Sequence, residues 1–189
     1  MNSICVFCSS SNSIDDVYVK TAEDLGHQIG QLGLELVYGG ASIGLMGAVA
    51  RATHEKGGRV IGVIPEFFKK KDINIEYIEA DELIIAETMR IRKAIMDQRA
   101  DAFVVLPGGI GTLEEAIEIM SMKQLGLTEK PLVFINTNNF YDDLISNFQK
   151  MVDLKFVKSS ALELYHLCAD PASALEFIFA CQRKKMGNK

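Results

Sequence analysis

A doubly wound, mostly parallel α/β sheet with helices on both faces is the fold class this sequence predicts, and three observations predict it. Short, wholly apolar runs such as Phe103-Val104-Val105-Leu106 carry no helical period, which suits strands buried on both faces. These runs alternate with amphipathic stretches of helical period, the pattern of a parallel sheet with helical crossovers. Two of the strand-to-helix turns are rich in glycine: Gly39-Gly40-Ala41-Ser42-Ile43-Gly44 and Pro107-Gly108-Gly109-Ile110-Gly111. At 189 residues, 48% hydrophobic and 24% charged, the chain reads as one domain over residues 1–189.

Residues 4–7 are the first predicted strand. Cys8-Ser9-Ser10-Ser11-Asn12-Ser13 leaves its C-terminal end as a polar loop, at the edge where open α/β sheets bind ligands. Its hydroxyls either reach a phosphate or sugar or serve only as a connection. A helix follows to about residue 32, closed by Gly33 at its C′ position. Residues 34–38 form the second strand, and the first glycine loop opens a helix ending near Gly57-Gly58. Glycines in such a loop serve close helix–sheet packing or a ligand, and two such loops on one sheet edge point to a shared crevice. Residues 59–64 form a third strand, stopped by Pro65. The run Glu66-Phe67-Phe68-Lys69-Lys70-Lys71-Asp72 is a solvated loop or short helix, whose lysines would attract an anionic substrate. Residues 83–86 are a short strand.

Residues 88–97 have a helical pattern in which Met89, Ile95 and Met96 surround Arg92 at spacings of three and four. Either its guanidinium finds a buried partner, a protein carboxylate or an anionic ligand, or it snorkels to solvent while Lys93 pairs with Asp97. The central strand, residues 103–106, ends at Pro107, which has no N–H for the ladder. Gly108, Gly109 and Gly111 then let the backbone approach a ligand closely. From Leu113, the residues Ala116, Ile117 and Met120 continue one apolar helical face. A helix N-terminus at this point offers free N–H groups and a positive dipole end to a phosphate. Thr112 and Glu115 also have capping-box spacing, with Thr112 as N-cap, but a box leaves the three glycines unexplained. The third glycine of the dinucleotide fingerprint and the Lys-Ser/Thr pair of a Walker loop are both missing. Residues 131–135 form another buried strand, 140–151 an amphipathic helix and 162–168 a final strand; Pro171 opens the last helix.

A net charge of −5 argues against a general nucleic-acid binder, and Arg183-Lys184-Lys185 reads as a frayed, solvated end. No apolar run has the length of a membrane span and Met1-Asn2-Ser3 lacks a basic leader, so a soluble cytoplasmic protein is expected. Cys5 and Cys8 are spaced to face opposite sides of a strand, which suits reduced core thiols. His27, His54 and His166 are too scattered to suggest a metal site.

Taken together, Pro107-Gly-Gly-Ile-Gly-Thr-Leu-Glu-Glu115 resembles the P-G-G-x-G-T-x-x-E signature of the LOG ("lonely guy") family. Met89-Arg-Ile-Arg92-Lys93 resembles that family's M-x-x-R-K element, and the segment from Gly39-Gly40 through Gly44-Leu-Met-Gly47 its upstream glycine loop. The resemblance implies a homodimeric, Rossmann-like hydrolase of the N-glycosidic bond of purine nucleoside 5′-monophosphates. Its products would be a free base (a cytokinin or adenine) and ribose 5-phosphate, with no metal and no cofactor. Carried over, Arg92 and Glu115 are the catalytic pair. Met89, Lys93, Gly108, Gly109, Ile110, Gly111, Thr112 and Glu114 join Ser9, Gly39, Gly40 and Gly44 in the substrate site. Ser9, where many members have Gly, and Arg90, where plant members have His, bear on base choice.

In chemical terms, Glu115 would stabilise an oxocarbenium-like ribose or orient the attacking water. Arg92, with a pKa above about 12, is a binding and positioning group toward phosphate or the leaving base. Two alternatives stand beside this: a general purine/pyrimidine 5′-nucleotide nucleosidase, and a non-catalytic carrier resembling molybdenum-cofactor carrier proteins. An older lysine decarboxylase label for the family has no support in a recognisable pyridoxal-phosphate lysine.

Overall fold

The computed structural model describes residues 1–70 and 75–187. Lys71 and Asp72, with the side chains of Lys69 and Lys70, lie outside it, and so does the question of anion attraction by that run.

Seven strands make one sheet: β1 (Ser3–Phe7), β2 (Glu35–Tyr38), β3 (Arg59–Pro65), β4 (Glu82–Ala86), β5 (Ala102–Val105), β6 (Leu132–Ile135) and β7 (His166–Cys168). Their order is β4-β3-β2-β1-β5-β6-β7, and every neighbouring pair is parallel. The helices α1 (Asp16–Gln31), α2 (Gly44–Glu55) and α7 (Pro171–Gly187) cover one face, where they pack on Ile4, Val6, Leu36 and Val104. The opposite face carries α4 (Met89–Arg99), α5 (Ile110–Gln124) and α6 (Asp142–Asp153), packed on Phe7, Val37, Phe103 and Phe134. A short α3 (Glu66–Lys70) follows β3. The winding reverses between β1 and β5, so a crevice opens at the C-terminal ends of those two strands. Cys5 and Cys8 are free and buried on opposite faces, as their spacing requires. No helix among the described residues is long and apolar enough to cross a membrane.

Three expectations are corrected. First, α5 starts at Ile110, so Gly109 is the N-cap and Thr112 sits inside the first turn; no side chain caps this end. The capping box does not form, because Glu115 turns inward to an arginine instead of back to the helix start. Second, Ile117 is 40% exposed, and Ile119 takes its place in the core beside Ala116 and Met120. Third, residues 162–165 do not extend the last strand. Ser159–Glu163 forms a 3₁₀ turn, and Leu162, Leu164 and Tyr165 cover the end of the core without joining the ladder. In the same region α6 begins at Asp142. Tyr141 is buried ahead of it and donates its hydroxyl to the Leu106 carbonyl at 2.7 Å.

Candidate active site

The crevice holds a cavity of about 420 Å³ whose rim and floor come from five strand-to-helix junctions. Its chemical centre is Arg92 on α4 and Glu115 on α5, both buried and joined by an Nη1–Oε1 ion pair of 2.6 Å. The first turn of α4 is set by Thr88, whose side chain accepts from the Ile91 N–H at 3.2 Å. That start directs Arg92 towards the sheet, where its Nε donates to the Val63 carbonyl at 2.8 Å. Its other nitrogen, Nη2, lies against Gly39, where a Cβ would collide with it. Two of the guanidinium's donors therefore serve the protein, and the fork holds the carboxylate in one orientation. Of the two alternatives at Arg92, snorkelling is excluded. Lys93 pairs with Glu114 and with Glu118 at 2.9 Å, and Asp97 is taken by Lys130 at 3.0 Å.

Glu115 is a buried carboxyl with an opposite charge beside it. Burial raises its pKa above the ordinary carboxylate value and Arg92 pulls the other way, with burial the larger influence. Cys8, also at the cavity, has its thiol pushed far up by burial, so it stays protonated and is no nucleophile.

The α5 N-terminus faces this pair. Its first helical bond runs from the Leu113 N–H to the Gly109 carbonyl at 3.1 Å, so earlier N–H groups of the turn have no helical partner. Gly109 and Gly111 line the cavity, and nothing lies within 4 Å of where their Cβ atoms would be. Neither has a positive φ. No contact or conformation within the protein requires glycine at either position, whereas the close approach of an anion to the turn would. Gly108 differs, because a Cβ there would collide with the Thr112 side chain.

Ser9, Gly39, Met89, Gly109, Gly111, Thr112 and Glu114 line the cavity together with the central pair. Gly108, Ile110, Lys93, Gly40 and Gly44 do not. Ile110 points to solvent at 83% exposure, and Gly40 packs on Val63 and Ile64 with φ +81°. Gly44, at φ +57°, packs against the Ser10–Ser11 backbone, and its N–H donates to the Asn12 side chain at 2.8 Å. The first glycine loop thus has its helix N-terminus met by Asn12, whereas no side chain caps the start of α5. Sequence reasoning missed the far wall, built by Met46, Ile64, Phe68 and Ile75. Its residues come from four separate segments, and only the sheet order brings them together.

The family of this chain follows from comparison. Residues 46–178 match a family model described as "Possible lysine decarboxylase". Over 158 residues the chain is 44% identical to the cytokinin riboside 5′-monophosphate phosphoribohydrolase LOG2 of Arabidopsis thaliana, covering 84% of this chain and 73% of that protein. A probable enzyme of the same name from Oryza sativa subsp. japonica, LOGL2, is 38% identical over 98% of this chain and 76% of its own.

The chain belongs to the LOG family.

Among solved structures, the Moco carrier protein of Chlamydomonas reinhardtii superposes with a TM-score of 0.71 at 24% identity, covering 97% of this chain and 98% of its own. The molybdenum cofactor binding protein of Rippkaea orientalis gives the same TM-score at 22% identity, covering 95% and 96%. At that identity the likeness concerns the fold. The LOG signatures are the parts of this chain that meet in the cavity: Arg92 from one, and Gly109, Gly111, Thr112 and Glu115 from the other.

Proposed function

We propose that this protein hydrolyses the N-glycosidic bond of purine nucleoside 5′-monophosphates of the cytokinin riboside type, releasing free base and ribose 5-phosphate. One observation carries the reading: a buried Arg92–Glu115 pair facing a helix N-terminus whose glycines the protein itself does not need. The 5′-phosphate seats on the α5 turn. That places the ribose over Glu115 and the base against the apolar wall of Met46, Ile64, Phe68 and Ile75. As the C1′–N bond breaks, positive charge grows on the ribose. A carboxylate held in a water-poor site stabilises that charge and orients the water that adds to C1′. The water's proton passes to Glu115 or to solvent, and the departing base takes a proton in turn. Arg92 keeps Glu115 ionised and aimed, and donates no proton.

The wall is apolar, so it accepts an alkyl-substituted adenine at least as well as adenine itself. Four thiols without disulfides fit a cytoplasmic location. Ile91, Met89, Ile110 and Ile117 are exposed apolar residues on α4 and α5, which fits a homodimer packed through these helices. Turnover of AMP, N6-isopentenyl-AMP, CMP and UMP, followed by chromatography of the released base, tests the reading. Preference for the two adenine nucleotides supports it; equal cleavage of all four points to a general nucleosidase.

A further inference from the structure

The apolar wall of the cavity is not free-standing. Ile75 lines it, and the segment that follows is joined to the loop after β2 by a short antiparallel bridge. The Ser42 N–H and hydroxyl both donate to the Ile75 carbonyl, at 2.7 and 3.0 Å, and the Tyr77 N–H donates to the Gly40 carbonyl at 2.9 Å. Ala41, at the centre of this bridge, lines the cavity as well. From there the chain runs away from the site to Asp81, whose carboxylate accepts the Val60 N–H at the start of β3, at 2.7 Å.

His54, in the last turn of α2, grips this strap at two points. Its Nε2 lies 2.9 Å from the Asp81 carboxylate and its Nδ1 lies 2.9 Å from the Tyr77 hydroxyl. A carboxylate only accepts, so Nε2 donates to Asp81, while the Tyr77 hydroxyl is shared between Nδ1 and the Glu79 carboxylate. Tyr77 itself is buried, with its ring 5.5 Å from the imidazole. The same helix carries Met46 of the cavity wall eight residues earlier, about 12 Å along its axis. One helix therefore supplies part of the wall at its first turn and anchors the rest of that wall from its last turn.

We propose that His54 and Tyr77 are positioning residues that set the base-binding wall from outside the cavity, by fixing the strap that carries Ile75 and braces Ala41. This rests on the reading of the cavity as a nucleotide site with the base at its apolar end. Neither residue lines the cavity, and neither touches Arg92 or Glu115. Loosening the strap weakens the hold on the base in ground state and transition state alike, so KM rises while kcat is kept.

Steady-state kinetics with AMP and N6-isopentenyl-AMP test this in wild type, Tyr77→Phe, His54→Ala and the double variant, each with its Tm. Tyr77→Phe keeps the buried ring and removes only the hydroxyl. The expected result is a KM raised by up to about tenfold, as the loss of one hydrogen bond allows, with kcat within about twofold. The double variant should lose less than the sum of the two single changes, because both include loss of the His54–Tyr77 contact. An unchanged KM alongside a lowered Tm overturns the proposal, since the clasp would then serve stability alone. Additive effects in the double variant overturn it too. If the wild type turns over neither nucleotide, the hydrolase reading fails separately, and AMP affinity by calorimetry decides for the clasp. Weaker binding in the two single variants supports it, while equal binding, or no binding by the wild type, overturns it.

Discussion

At Glu115, burial and an arginine compete. Burial is the larger influence and raises the carboxyl pKa, so the ionised form that the proposed mechanism uses is reached only above the ordinary carboxylate value of about 4.3. kcat therefore falls as pH drops through this raised pKa, and the limb sits higher than an exposed glutamate would place it. A pH profile of kcat on AMP checks this, and an acid limb at or below the ordinary value contradicts it. Arg92→Ala removes the fork and leaves Glu115 buried without its counter-charge, at a cost of about 3–5 kcal/mol in stability and the loss of turnover. Arg92→Lys should not rescue, because a single ammonium cannot serve the Val63 carbonyl and Glu115 in the planar geometry they occupy. Denaturant melts and single-turnover assays of both variants read this out. The sequence left the fate of Arg92 open among a carboxylate, a ligand and solvent. Periodicity around Arg92 points it inward, but its partner lies 23 residues away on another helix, and only the packing of α4 beside α5 supplies it.

Among the elements, the two glycine-rich turns look alike in sequence and do different things. The turn before α2 is filled by its neighbours: Asn12 caps the helix, and Gly44 gives way to the Ser10–Ser11 backbone. The turn before α5 is left open at Gly109 and Gly111. Substitution separates the two roles. Gly109→Ala and Gly111→Ala should fold with an unchanged or slightly raised Tm, Gly111 being helical, and raise KM for the monophosphate by about tenfold or more. Gly44→Ala should lower Tm, because its positive φ and the backbone against it leave no room for a Cβ. Thermal melts beside steady-state kinetics distinguish these, and a fall in Tm for Gly111→Ala would count against a ligand-driven role. The start of α5 was legible only to within three residues. Thr112 and Glu115 have capping-box spacing, yet Gly109 takes the N-cap and Arg92 draws Glu115 away. A local motif lost here to a tertiary ion pair.

Across the whole molecule, the alternation of apolar runs and amphipathic stretches was enough to give a parallel sheet with helices on both faces. Buried strands such as Phe103-Val104-Val105 have no solvent face on which any other pattern could be written. The end of the chain was less legible. Apolar residues at Leu162, Leu164 and Tyr165 can cover a core as readily as extend a strand, and here they cover it. On the outer side of α4 and α5, Ile91 and Ile117 are each about 40% exposed. If that side is a dimer face, Ile91→Asp with Ile117→Asp yields a folded monomer by light scattering and circular dichroism. A variant that remains dimeric places the interface elsewhere.

In the proposed reaction Glu115 promotes attack of water on C1′ of a nucleotide held by its phosphate on α5. The most direct test is chromatography of products from wild type and Glu115→Gln, each incubated with AMP, N6-isopentenyl-AMP and the two matching nucleosides. Free base and ribose 5-phosphate are expected from the monophosphates, little from the nucleosides, and a loss of at least about a hundredfold in the variant. Equal cleavage of nucleosides, or full activity in Glu115→Gln, would contradict it.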